Sequence, residues 1–435
     1  MVSKSLRLFE HRTGTDDNGN KSLTKDEAIS LERFNQKIRS RERLKSDVLS
    51  ITYNAHGTPT IKASSYVGVI KVGSTVVEIL PKIGEDQSIE SATINLLHML
   101  NFTKKLRIKE LDVAPLIEKG RELFEILISQ FAKKTLETIQ RNAYKQYVTI
   151  ESNLAFLKGK IQFREHLRRN LIVKNRFYTQ YDEFSEDNLL NQALKYTTYL
   201  LANVCRDARN LKNLEHILSL LTEVSFREIS IDDLEKIHLT RLNHEYEPLV
   251  NYCKLFISRS SVELSVGKIS VFSFILDMNE LFEEYIGQFI KREFSECYEV
   301  IRLQGPVNHF VNEKISNGNK KGNRFQLKPD IVLYKRREDE TPQLLIDTKY
   351  KKLREMGGRE PVDQRDLYQM YAYCRKYQCP TCVLLYPKWG AFLEIIDYHI
   401  DEDAQVRIRT VDLNRDLRAQ RRELKQELAS ILECS

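Results

Sequence analysis

The chain has 435 residues, 41% of them hydrophobic and 30% charged, with a formal net charge of +7. That length predicts two or three domains, and that composition a globular protein able to bury real cores, not a disordered or fibrous one; the mildly basic balance permits nucleic-acid binding without demanding it. No apolar run reaches membrane-spanning length, residues 1–12 lack a signal-peptide core, and seven cysteines, an odd number, argue against a disulfide framework, so a cytoplasmic protein with no membrane partner is expected.

Residues 6–9 read as a short strand, followed by a polar loop through Asp16, Asp17, Asn18, Gly19 and Asn20 and a helix over 24–45. From Val48 the pattern changes to short β-prone runs at 49–53, 60–63, 66–72 and 75–80, split by His56-Gly57, Ser64-Ser65 and Gly73-Ser74. These predict a small antiparallel sheet or partial barrel, with a hairpin turn at Gly73-Ser74 and Pro81 ending the last strand. From about Ser91 apolar residues recur at helical spacing, and Leu123, Phe124, Leu127, Ile128 and Phe131 mark a long helix over 121–143. Its continuation through Arg141, Tyr144, Lys145 and Tyr147 is basic with interleaved aromatics, which suits phosphates, a partner or a solvated face. Residues 154–161 read as strand or turn, 164–169 as a basic cluster, and 178–184 as extended. Helices are predicted over 187–205, 211–221 and 247–258, with a capped start within 229–237. A shift from helices to strand–helix–strand near Ser265 is the expected boundary.

Beyond it, residues 271–276 are strand-like, and Asp277 or Asn279 caps a helix with Leu281, Phe282, Tyr285, Ile286, Phe289 and Ile290 on one face. Glu283 and Glu284 fall about one turn inside; either one can supply an acidic group to a site or answer the positive helix terminus. Residues 328–350 organise the rest. Two branched apolar runs, 331–334 and 343–346, flank a charged segment that ends in Pro342, a strand–turn–strand signal. Such a hairpin sets Asp330, at the start of its first strand, beside Asp347, at the end of its second, and alternation puts Lys349 on the face of Asp347. Two carboxylates suit Mg²⁺, which favours one or two of them with water and phosphate oxygens; the Thr348 carbonyl offers a further oxygen. A bound metal lowers the pKa of a water and stabilises charge on a phosphate under attack, and a lysine there positions or helps deprotonate that water. The plainer alternative is a surface hairpin with solvated charges.

A helix over 363–377 follows, with Asp366, Gln369 and Tyr373 at i, i+3 and i+7 on one face, then a buried-looking strand over 382–387 and the segment 391–398. The sequence Pro-Asp, sixteen residues, Asp-Thr-Lys resembles the PD-(D/E)xK nuclease signature, and the polar helix face resembles the QxxxY motif of one branch of these nucleases. The order of elements matches the αβββαβ core of that superfamily if 300–303 or 307–311 supplies the first strand.

Several stretches in the same order, YVGVIKVGSTVVEILPKI (66–83), LKGKI (157–161), DMNELFE (277–283), LIDTKY (345–350), DLYQMYAY (366–373) and LYP (385–387), sharpen this. Together they resemble the McrC family, the nuclease subunit of McrBC-type modification-dependent restriction systems. The resemblance implies an α+β multidomain chain: a β-rich domain over 1–90 and a mainly helical region over 91–265, both docking a partner, a PD-(D/E)xK endonuclease domain over 266–405 and a C-terminal helix over 406–435. It implies Asp330 and Asp347 as Mg²⁺ ligands and Lys349 as the essential lysine, with Glu283, Gln369 and Tyr373 carried over. It also implies a hexameric McrB-like AAA+ GTPase as partner and double-stranded DNA as substrate. No GxxxxGK[ST] occurs, so any GTP must be bound by another subunit. Two alternatives are a non-catalytic regulator that activates a motor NTPase and the nuclease subunit of a related system with a fixed recognition sequence.

Two features stand outside this reading. Cys374, Cys379 and Cys382 form C-x₄-C-x₂-C, but four thiolates make a cluster site, and only Cys297 or Cys434 could complete the set; buried free thiols are the plainer reading. The tail over 414–431 reads as a charged helix whose narrow stripe, Leu417, Leu424, Leu428 and Ile431, suits packing on the nuclease domain or pairing with another chain, packing being the plainer reading.

Overall fold

The computed structural model describes residues 4–10, 15–16, 23–42, 47–53, 55, 57–73, 75–81, 88–103, 122–141, 143–241, 243–264, 270–316, 319–353, 360–389, 395–402 and 404–434. Residues 17–20, His56, Ser74 of the expected hairpin turn, Asn142 and 391–394 lie outside them. The chain divides into two compact units, Met1–Gly120 with Glu263–Ser435, and Arg121–Val262.

In the first unit, strands Tyr66–Val72 and Thr75–Leu80 form a hairpin with Val72 opposite Thr75 and Gly68 opposite Ile79. Thr75–Leu80 then runs parallel to Lys4–Phe9, and Tyr66–Val72 pairs antiparallel with Ser270–Asp277. Both hairpin strands are buried almost throughout, as near-continuous runs of Val and Ile require when both faces are covered. Helix Lys25–Glu42 contributes Leu31, Phe34 and Ile38 to this core. The expected antiparallel sheet or partial barrel is thus a mixed sheet, while Leu49–Tyr53 and Pro59–Ala63 pair with each other in a separate ribbon. Gly68 explains how close the strands lie: its φ is +135°, and a Cβ there would sit 2.0 Å from the Phe274 carbonyl oxygen.

Ser270–Asp277 runs straight into helix Met278–Glu293, capped by Asp277, whose carboxylate accepts the Asn279 N–H at 2.8 Å. The helix buries Leu281, Phe282, Tyr285, Ile286, Phe289 and Ile290, the face its spacing predicts. A second sheet follows in the order Val300–Leu303, Ile331–Tyr334, Leu344–Thr348, Thr381–Pro387, Ala404–Val411, Ile396–Asp401. The first two pairings are antiparallel, with Leu303 opposite Ile331 and Ile331 opposite Ile346. Leu344–Thr348 is parallel to Thr381–Pro387, the crossover being helix Gln364–Tyr377. Val300–Leu303 is therefore the strand beside the hairpin; Asn308–Val311 pairs elsewhere, with Arg324–Leu327.

Two expectations need correction. Residues 406–411, assigned to the C-terminal helix, belong to strand Ala404–Val411, because Val406 and Ile408 alternate with Arg407 and Arg409 at period two; the helix is Arg421–Leu432. The divisions at 90 and 405 do not separate bodies. Asn95, on helix Ile89–Phe102, donates its amide to the carbonyls of Leu413 (3.4 Å) and Arg415 (2.8 Å) and accepts from the Leu417 N–H (3.2 Å).

The second unit holds helices Leu123–Arg141, Leu189–Ala202, Ala208–Leu220, Ile231–Glu235 and Glu247–Arg259. It also carries a sheet not expected in a mainly helical region: Phe177–Ser185 lies antiparallel between Gln146–Leu154 and Lys160–Ile161. The basic aromatic run read as a helix continuation is thus already strand from Gln146, and the 164–169 cluster lies on helix Phe163–Asn170. Among the described residues no helix is long and apolar enough to cross a membrane.

Candidate active site

The hairpin brings its two carboxylates to one sheet edge. Asp330 directly precedes Ile331–Tyr334, and Asp347 is the penultimate residue of Leu344–Thr348. Asp330 Oδ2 accepts both the Thr348 N–H (2.7 Å) and the Thr348 hydroxyl (2.9 Å). Thr348, chosen from the sequence for its carbonyl, thus also clamps Asp330 through its two donors. Asp347 is 2% exposed, so its charge sits where water screens it little.

Lys349 continues the strand edge, its N–H donating to the Leu385 carbonyl at 2.9 Å. Its ammonium ion-pairs with Asp347 Oδ2 and donates to Gln369 Oε1 at 3.3 Å. Gln369 Nε2 donates to Asp347 Oδ1 (3.4 Å) and to the Tyr373 hydroxyl (2.7 Å), which donates in turn to the Lys328 carbonyl (3.2 Å). Helix Gln364–Tyr377 therefore presents the Gln369/Tyr373 face to the carboxylate edge. Asp366, one turn earlier, ion-pairs with Lys351 and accepts the Tyr386 hydroxyl at 3.4 Å. Lys351 and Tyr386 escaped sequence reasoning, because only the sheet brings their strands to that helix.

Of the two glutamates, Glu283 is the one whose carboxyl is shifted by the charges of Asp330 and Asp347. Glu280, Glu283, Glu284, Gly287 and Gln288 of helix Met278–Glu293 line a cleft of about 530 Å³ with Leu303, Gln304 and Asp330. The cleft opens onto Asp330 and Glu283, so solvent-borne ligands have a path to those two carboxyls. Leu303 and Gln304 carry no motif, and nothing in the sequence marked them.

The electrostatics follow from burial and crowding. Burial first, then the charges of Asp330, Asp347 and Glu280, pushes the Glu283 carboxyl up to about 8, against a pull from Lys328. Burial and the Asp330 charge push Asp347 up to about 6, although Lys349 pulls it down. Burial raises Asp330 as well, against the Thr348 hydrogen bonds and Lys349. For Lys349 burial works downward, but Asp347, Asp366 and Asp330 outweigh it and raise the ammonium pKa. Three carboxyls that repel one another's ionisation are short of positive charge.

A divalent cation would answer that shortage. Asp347 Oδ2 is buried and touches the Lys349 ammonium, yet among the described residues no donor meets it in hydrogen-bonding geometry. Among the described residues no three His, Cys, Asp or Glu side chains are gathered into a ready-made cage. Mg²⁺ needs none, since it keeps several waters and takes one or two carboxylates, so the residues present fit it. The cysteines do not form such a group either. Cys374 Sγ lies 2.8 Å from Cys382 Sγ, Cys379 Sγ lies 3.1 Å from the Thr381 carbonyl, and these three, like Cys297 and Cys434, are free thiols.

A family model described as McrBC 5-methylcytosine restriction system component matches residues 61–387. No match is found among curated proteins. Among solved structures, the chain is similar to one in the refined half-complex from a tetradecameric assembly of Thermococcus gammatolerans McrB AAA+ hexamers with bound McrC. That similarity has 21% identity and a TM-score of 0.67, and covers 98% of this chain and 100% of that one. A chain in the cryo-EM structure of the Thermococcus gammatolerans McrBC complex is similar at 24% identity and a TM-score of 0.51, over 67% of this chain and 88% of that one. At these identities the likeness is one of fold.

Proposed function

The chain belongs to the McrBC 5-methylcytosine restriction system components, and from that premise we propose that it is the DNA-cutting subunit of such a system. In this reading it is a Mg²⁺-dependent endonuclease that hydrolyses phosphodiester bonds in DNA carrying 5-methylcytosine, in a cytoplasmic complex with an AAA+ GTPase hexamer. The observation that carries the reading is the meeting of Asp330, Asp347 and Lys349 at one sheet edge, under Gln369 and Tyr373. Leaving aside the ribbon strands between Asn308 and Leu327, the order helix, three sheet strands, helix, strand from Met278 to Pro387 supports a PD-(D/E)xK core.

Asp330, Asp347 and Glu283, with the Thr348 carbonyl as a further oxygen, would hold Mg²⁺, and the ion would supply an activated water and charge neutralisation on the phosphate. The chain's own groups do the positioning. Gln369 holds the Lys349 ammonium through Oε1 and Asp347 through Nε2, so both heads keep one orientation. The Lys349 ammonium orients the attacking water and balances negative charge as it grows on the phosphate oxygens. Thr348 keeps Asp330 turned toward the same edge, and Tyr373 anchors Gln369.

A motor partner is supported by the McrB AAA+ hexamers named with the similar structures and by the lack of a P-loop in this chain. The second unit offers apolar side chains to such a partner: Phe156, Phe163, Leu171 and Ile172 are 62%, 70%, 70% and 91% exposed.

The test is plasmid cleavage, methylated against unmethylated, with the partner NTPase, GTP and Mg²⁺ present or withheld. Methylated plasmid is cut only in the full mixture. Asp347→Ala lowers cutting by roughly 10²–10³-fold or more while partner binding and NTPase stimulation persist. Unchanged cutting refutes the nuclease reading and leaves a regulator of the motor.

A further inference from the structure

Between Val300–Leu303 and Asp330 the chain leaves its sheet as a two-stranded ribbon. Asn308–Val311 pairs with Arg324–Leu327, and beyond that Lys314–Ser316 pairs with Asn319–Lys321. Residues 308–328 hold Lys314, Lys320, Lys321, Arg324 and Lys328 against Glu313 alone, a net +4 in 21 residues of a chain whose total is +7. Lys314, Lys320 and Arg324 are exposed, Lys320 within 3.2 Å of Glu313.

The ribbon also exposes apolar rings. Phe310 is 54% exposed and Phe325 74%, and they hold opposite positions between the pairings of His309 with Gln326 and Val311 with Arg324. Phe325 has φ +57°, a left-handed conformation that bulky residues rarely adopt. Strain that turns an aromatic ring into solvent brings no gain in core packing, and strain of this kind gathers at ligand-binding surfaces.

The base of the ribbon is fixed to the candidate site. The Asn308 amide donates to the Lys376 carbonyl (2.9 Å), the Lys376 ammonium to Asn312 Oδ1 (3.1 Å), and the Tyr377 hydroxyl to the Leu327 carbonyl (2.9 Å). The ribbon thus stands on the end of the helix that carries Gln369 and Tyr373, and its return strand ends three residues before Asp330.

We propose that this ribbon is a duplex-gripping arm. It lies in a groove of double-stranded DNA beside the phosphate to be cut, with Lys314, Lys320 and Arg324 on backbone phosphates and Phe310 and Phe325 against the bases. The major groove, about 12 Å wide, admits a two-stranded ribbon. From Leu327 to Lys321 the ribbon extends about 20 Å at the usual strand rise. The proposal rests on the nuclease reading and gives this chain its own hold on DNA, separate from the motor's.

The full chain carrying Asp347→Ala, which holds the duplex without cutting it, is titrated with a fluorescent DNA duplex across a salt series. Each lost phosphate contact removes about 0.9 from the slope of log affinity against log salt, so Lys314→Ala/Lys320→Ala/Arg324→Ala flattens it by about 2.7, and each single variant by about 0.9. Phe310→Ala/Phe325→Ala weakens binding about tenfold with the slope kept. Melting curves matching the parent show that the variants fold. An unchanged slope, or no duplex binding by the Asp347→Ala chain at low salt, overturns the arm. So does a triple variant that keeps its DNA affinity but loses the partner NTPase, since the ribbon is then a protein-docking surface. Cleavage with Asp347 intact reads the parent proposal separately: no cutting by the unaltered chain ends the nuclease reading, whereas parent-level cutting by the triple variant ends only the arm.

Discussion

Asp347 and Glu283 hold their protons more tightly in the folded chain than an ordinary carboxyl does, to about 6 and about 8. A carboxyl raised by folding is still protonated where its unfolded counterpart has ionised. The folded state therefore binds more protons across that window, and stability falls as pH rises through it. The contribution is fully present below about pH 4 and is lost by about pH 8. Asp187 and Glu293, held low against burial by hydrogen bonds from Ser225 and Arg421, act in the opposite sense but are common to parent and variant. In metal-free buffer, Asp347→Asn is expected to stabilise the chain by roughly 1–3 kcal/mol at pH 8 and by about half as much at pH 5, read from denaturant midpoints. Added Mg²⁺ competes with those protons, so it raises the parent's melting temperature more at pH 8 than at pH 6 and leaves Asp347→Asn nearly unmoved. A stability gain that is equal at both pH values, or the same Mg²⁺ effect on both proteins, contradicts this. The grouping of Asp330, Asp347, Lys349, Gln369 and Tyr373 was legible in the sequence because strand alternation and helical periodicity are local rules. The choice between Glu283 and Glu284 was not, since it turns on how one helix is rotated against a sheet.

Among whole elements, legibility followed apolar density. The strands Ile331–Tyr334 and Leu344–Thr348 declare themselves by unbroken branched runs. Ala404–Val411 hides its period-two pattern among arginines, and of the 308–327 ribbon only 307–311 reads as a candidate strand, the rest being too short and polar. Nor did anything local show that Ser270–Asp277 would pair with Tyr66–Val72, because that pairing joins residues about 200 positions apart. Gly68 is where that pairing can be tested. A methyl there meets the Phe274 carbonyl oxygen at 2.0 Å and the carbonyl carbon at 3.0 Å, both backbone atoms that cannot yield without parting the strands. Gly68→Ala is expected to cost more than about 2 kcal/mol and lower the melting temperature by about 5–10 °C. Gly57→Ala is the control. Its φ is +72°, but the added Cβ meets nothing within 4 Å, so only the left-handed backbone opposes it, about 1 kcal/mol. Because Ser270–Asp277 leads directly into the helix of Glu283, Gly68→Ala also weakens Mg²⁺-dependent cleavage, measured below its melting transition, and Gly57→Ala does not.

At the scale of the molecule, the candidate nuclease site is completed by residues from the opposite end of the chain. Tyr350, one residue past Lys349, is fully buried against Phe282 and Trp389 and donates its hydroxyl to Glu10 Oε2 at 2.8 Å. Glu10, 0% exposed, is fixed in turn by its N–H to the Leu80 carbonyl at 3.0 Å. Asn95 ties the chain through Leu413–Leu417 in the same way, with three hydrogen bonds to backbone. Removing the N-terminal part would leave the Tyr350 hydroxyl and those backbone groups buried without partners, and would expose the apolar face of Ser270–Asp277 along an open edge. Each buried polar group so abandoned costs about 1–3 kcal/mol, and several together equal the whole stability of a typical domain. The fragment Glu263–Ser435 is therefore expected to lack a cooperative melting transition and to aggregate on size exclusion. Co-expression with Met1–Gly120 as a separate chain restores a soluble complex of the two, with one transition and measurable Mg²⁺ binding. A fragment Glu263–Ser435 that melts cooperatively alone would show that the second sheet and its helices suffice, and that the bonds from Glu10 and Asn95 only decorate an independent domain.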